Sequence, residues 1–148
     1  MKVIHLDNRF KQTFILIVCY SVFFMASCSD KSTEVKEIDL PASDLTYSEH
    51  IRPLFINRCA NRSGCHAQPS PAANLDLTTY QTTISHLVAG STPLLIPGYG
   101  ENSILYNVLL GPVDAGTYII DRMPKDEQPL NANNIIGIRQ WIDEGALE

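Results

Sequence analysis

The chain reads as a small all-α domain with long loops, carried behind a signal peptide and a flexible tether. Three observations predict this. Apolar residues recur at helical spacing in several segments, and no segment shows the strict alternation of a half-buried strand. The first 27 residues have the basic start and apolar run of a secretory leader. The expected boundaries are 1–27 for the signal, 28–44 for the tether and 45–148 for the folded domain.

The leader opens with Lys2, Arg9 and Lys11 and continues into an apolar run over residues 13–24. That run is short for a membrane-spanning helix, which needs about 20 apolar residues; a plain transmembrane anchor is the alternative. Met25-Ala26-Ser27-Cys28 resembles the lipobox of bacterial lipoproteins. In that family the cysteine is acylated and becomes the mature N-terminus. The resemblance implies lipid attachment at Cys28 and a place in the bacterial cell envelope, membrane-anchored and facing the periplasm or the cell surface. Ser29, in place of an acidic residue, leans towards the outer membrane.

Processing changes the inventory. Removing Lys2, Arg9, Lys11 and Asp7 from 11 basic and 16 acidic side chains leaves 8 and 15, a net charge of −7. Such a balance argues against a nucleic-acid partner, for which a basic patch is the electrostatic footprint. Cys19 leaves with the leader, so Cys59 and Cys65 are the thiols that remain for side-chain chemistry. Met123 becomes the sole methionine, beside His50, His66 and His86.

Residues 29–42 are polar, charged and aperiodic, as a tether is. Thr46-Tyr47-Ser48-Glu49 has the form of a capping box, and Ile51, Leu54 and Phe55 then share a helical face that runs into Cys59. Pro53 lies near enough to the start to delay or kink this helix. A proline-rich loop over 67–74 leads to Leu75-Asp76-Leu77, and residues 79–87 suggest a short helix. Pro97-Gly98 marks a turn. Asn102 or Ser103 caps a helix carrying Ile104, Leu105, Val108 and Leu109, which stops at Gly111. Residues 112–130 read as one long loop containing Met123. A last helix begins near Asn131, presents Ile135, Ile138 and Ile142, and ends at Gly145. Asp143 and Glu144 read as a solvated face.

The chemistry concentrates in residues 59–66, Cys-Ala-Asn-Arg-Ser-Gly-Cys-His. This is a stretched form of C-x-x-C-H, in which two thiols attach haem and the adjoining histidine binds iron. Met123, between Arg122 and Pro124, is a candidate for the opposite axial ligand; a thioether facing an imidazole raises the potential. Its alternative is core packing.

At this point the chain resembles the monohaem class of bacterial cytochrome c domains, in particular the planctomycete-type and lipoprotein versions. The likeness spans most of residues 47–146. It is carried by His50-Ile51-Arg52-Pro53-Leu54-Phe55, the Cys59…Cys65-His66 motif, Leu75-Asp76-Leu77, Pro97-Gly98 with Ser103-Ile104-Leu105-Tyr106, Arg122-Met123-Pro124 and Trp141-Ile142-Asp143-Glu144-Gly145-Ala146. The resemblance implies thioether links at Cys59 and Cys65, His66 as proximal ligand, Met123 as distal ligand, haem c as cofactor and terminal helices crossing near the haem edge. It implies an electron carrier, not an enzyme, with a redox partner protein in the envelope.

The departure lies in the spacing. Residues six apart on a helix sit about 240° around and do not share a face. Cys59 and Cys65 therefore converge only if residues 61–64 form a loop, for which Ser63-Gly64 is suited. The alternatives are a Cys59–Cys65 disulfide in a haem-free or haem-sensing interaction module, and a zinc site adding His66 and either His50 or His86. His50 and His86 read mainly as surface or packing residues, each an outside substitute for Met123.

Overall fold

The computed structural model describes residues 38–148; the leader, Cys28 and most of the expected tether lie outside the described residues. The packed unit begins at Ile38. Leu40 is buried, lies against Gly137, and accepts a hydrogen bond from Asn133 Nδ2 at 3.2 Å through its carbonyl.

A wide π-helical turn, Tyr47–Ile51, runs directly into α1, Arg52–Arg58. The Thr46 carbonyl accepts from both His50 N and Ile51 N, at 3.1 and 3.2 Å. Pro53 accounts for the widening: it has no N–H for the Glu49 carbonyl, and its ring pushes that carbonyl aside. The capping box forms with a substitution. Thr46 Oγ1 accepts from Glu49 N at 3.4 Å, but His50 Nδ1, not Glu49, accepts from Thr46 N at 3.1 Å.

The remaining helices fall close to the expected places. Helix α2, Tyr80–Ile84, is capped by Thr79, and α3 spans Ile104–Leu110 behind Ser103. Ser103 Oγ does not cap; it donates to the Tyr99 carbonyl and accepts from Ile96 N, closing the Pro97-Gly98 turn. Helix α4, Ala132–Asp143, starts at Asn131, whose Oδ1 accepts from Asn134 N at 2.7 Å. Its buried face includes Ile138, Trp141 and Ile142, with Ile135 only partly covered.

The all-α expectation is overturned. The described residues hold two small antiparallel sheets beside the helices, so the domain is mixed. Strands β1 (Leu87–Val88) and β2 (Thr92–Pro93) pair with Val88 opposite Thr92, and β3 (Val113–Asp114) and β4 (Ile119–Ile120) pair with Val113 opposite Ile120. The second hairpin lies inside the segment expected to be one long loop. Each strand is two residues long, too short for an alternating pattern to register. The turns carry the signal instead. Gly90 takes φ +74°, and Asp114 Oδ1 accepts from Gly116 N at 2.7 Å.

Tyr47, Phe55, Tyr80 and Trp141 form the aromatic centre of the core. The Tyr47 ring lies 6.0 Å from Trp141, 5.6 Å from Tyr80 and 6.4 Å from Phe55. The Leu147 carbonyl accepts from both Tyr47 N and Trp141 Nε1, each at 2.9 Å, which ties the first turn to the end of α4. Asp143 is exposed and Glu144 partly so, and both also anchor backbone N–H groups. Glu144 accepts from Leu45 N at 2.8 Å and Asp44 N at 3.2 Å, and Asp143 accepts from Gly100 N at 2.7 Å.

Candidate haem-attachment site

Helix α1 ends at Cys59, where Cys59 N and Ala60 N both donate to the Phe55 carbonyl at 2.8 Å. The chain then leaves the helix and turns back at Gly64, φ +82°, a conformation that costs a residue without a Cβ little. His66 N donates to the Cys59 carbonyl at 2.9 Å, so the backbone closes a ring over the six intervening residues. The extended spacing is thus accommodated in a loop that returns His66 to the helix end. Cys59 and Cys65 are both free thiols.

The segment 75–77 clamps His66 from the other side. Leu77 N donates to the His66 carbonyl at 2.9 Å, and His66 Nδ1 lies 3.3 Å from the Leu75 carbonyl. A carbonyl only accepts, so Nδ1 carries the proton and Nε2 keeps the lone pair. Metal-binding histidines are oriented in this way, with one ring N–H donated to a carbonyl or carboxylate. Burial lowers the His66 pKa below its ordinary 6.5, outweighing backbone hydrogen bonds at Leu75 and Ala72 that favour the cation. The ring is neutral at pH 7, the state a ligand needs. Asp76 stiffens the clamp by accepting from Thr78 N and Oγ1 at 2.9 and 2.6 Å.

Met123 is held from a different element. Its N–H donates to the Val108 carbonyl of α3 at 2.8 Å, and its side chain packs on the edge of the core.

Cys59, Cys65, His66 and Met123 all line one cavity of about 610 Å³. Volumes of roughly 300–1,000 Å³ are usual for cofactor and ligand sites. Its other walls are mainly apolar, with Phe55, Leu94, Leu105 and Leu109 from the core. Burial pushes the Cys59 thiol up to about 12, against the field of Arg58, so that sulfur is uncharged at neutral pH. Two thiols, a pre-oriented neutral imidazole and a thioether around an apolar chamber fit a large hydrophobic group carrying iron.

The outside candidates fare differently. His50 caps the first turn and does not line the cavity. His86 does line it, and sits near enough to His66 for one charge to disfavour the other; burial first, then His66, lowers its pKa. Among the described residues no three His, Cys, Asp or Glu side chains gather as a metal site, which leaves the zinc reading without a donor set. The Tyr47 and Trp141 rings meet in the core, and neither lines the cavity, where the resemblance implies terminal helices crossing near a haem edge.

Both hairpins contribute walls that went unseen in the sequence: Leu87 and Val88 from the first, Tyr118 and Ile120 from the second. The run Tyr118-Ile119-Ile120 beyond a glycine turn is the signal that points to them. No family model, curated protein or solved structure matches the chain.

Proposed function

We propose that the protein is a lipid-anchored c-type cytochrome that carries single electrons in the cell envelope and performs no bond chemistry on a substrate. The observation that carries this reading is the convergence of Cys59, Cys65, His66 and Met123 on one apolar cavity, with His66 already turned by the Leu75 carbonyl. Haem bound there supplies one-electron transfer between ferric and ferrous iron. With haem bound, Cys59 and Cys65 would attach it, His66 and Met123 would hold its iron, and the surrounding leucines would shield it from water. A mainly apolar chamber and a thioether ligand both favour the less charged ferrous form. The partner is a redox protein of the same compartment, and the lipid at Cys28 keeps the carrier at the membrane.

The test is a potentiometric titration of the mature protein produced beside haem-attachment machinery, for wild type and Met123→Ala. The expected result is a one-electron curve whose midpoint falls in the variant, together with loss of the Met–iron charge-transfer band. An unchanged spectrum and midpoint would remove Met123 from the iron. A protein without redox response, its two thiols oxidised to one another, would make the chain a haem-free interaction module.

A further inference from the structure

One of the five residues between the thiols carries a guanidinium. Arg62 stands within that loop and forms an ion pair with Glu127, four residues beyond Met123. Both side chains line the cavity. One helical turn earlier, the buried Arg58 donates to the Gln128 carbonyl at 2.7 Å. The segment 121–130 contains neither helix nor strand. Two of its contacts are internal, Lys125 with Asp121 at 2.7 Å and Arg122 Nη2 with the Glu127 carbonyl at 3.3 Å. Arg58 and Arg62, on either side of Cys59, therefore bind the methionine segment to the thiol segment.

We infer that Arg62 is a positioning residue: its pair with Glu127 straps the Met123 loop to the thiol loop and holds the thioether at its post. A thioether is a weak ligand, so its occupancy depends on how little its loop moves. The inference gives the lengthened Cys59–Cys65 spacing a purpose. Arg62 is largely exposed and Glu127 partly so, which limits the strap to a modest effect.

The experiment uses the mature protein with Arg62→Ala, Glu127→Gln and the charge swap Arg62→Glu/Glu127→Arg. Hydrogen exchange in haem-free protein reads loop opening directly. Exchange across 121–130 should rise about two- to fivefold in each single variant, the range an exposed ion pair supports, and return towards wild type in the swap. The ligand-holding role, which rests on the haem reading above, is measured by imidazole binding to the ferric haem protein. Imidazole should displace Met123 about two- to fivefold more tightly in the single variants. Wild-type exchange rates in both single variants would overturn the strap. Faster exchange with unaltered imidazole affinity would overturn its role in holding Met123. A wild-type protein that attaches no haem would defeat the proposed function, while the exchange experiment still decides the strap.

Discussion

At the scale of single residues, His66 shows how an imidazole is oriented by its own backbone surroundings. Its adjacency to Cys65 is visible in the sequence, and so is the weakness of Cys59's spacing. The partner of Nδ1 is not visible, because the Leu75 carbonyl belongs to a residue nine positions on whose side chain says nothing about it. His86, an outside candidate in the sequence, lines the cavity just ahead of the first hairpin. The buried imidazole has a consequence for stability. Its folded pKa lies below the ordinary 6.5, so between those values the unfolded chain holds the extra proton. The His66 contribution is complete above about pH 6.5 and is lost as the pH falls to the lowered folded value. Urea midpoints of the haem-free protein should therefore decline as the pH falls below about 6.5, and His66→Gln should flatten the decline. Part of the slope remains with His86, whose pKa is lowered too. A slope equal to wild type would mean that His66 is not the group being titrated.

At the scale of elements, glycine positions separate the loop that makes the site from the turns that make the core. Gly64 has φ +82° and open space where a Cβ would stand, so Gly64→Ala meets only the backbone cost of a left-handed residue, about 1–2 kcal/mol. Gly100 is the converse. A Cβ there would lie 2.6 Å from Arg139 Cγ and 2.8 Å from the Arg139 carbonyl, both on α4. Gly100→Ala should cost about 1–3 kcal/mol through overpacking and strain the Gly100–Asp143 hydrogen bond. Thermal melts of the two variants test this, each kcal/mol lowering Tm by about 4–8 °C in a domain of this size. If Gly64→Ala melts as wild type, the thiol loop has another conformation. Helices were legible because Ile51, Leu54 and Phe55, or Ile138 and Ile142, repeat at 3.6 residues. The hairpins were not, since Val88 and Thr92 or Val113 and Ile120 meet through turns and not through any period.

At the scale of the whole molecule, the aromatic centre and the cavity divide the labour. Tyr47, Phe55 and Trp141 lock the two ends of the domain together, whereas the chamber behind Cys59 and Met123 withholds apolar surface from that packing. An open chamber in so small a domain costs stability, which any hydrophobic group bound there would offset. The sequence alone pointed to the four residues now grouped around that chamber, because three belong to one motif and the fourth is the only methionine among the described residues. It did not show that helix α3, both hairpins and the strap residues Arg62 and Glu127 would share the same walls. Intact mass of the wild-type protein, produced with haem-attachment machinery and unfolded before analysis, tests the central claim most directly. One haem should stay bound per chain with both Cys59 and Cys65 consumed. A chain at its bare mass, with those thiols free or joined as a disulfide, would contradict it.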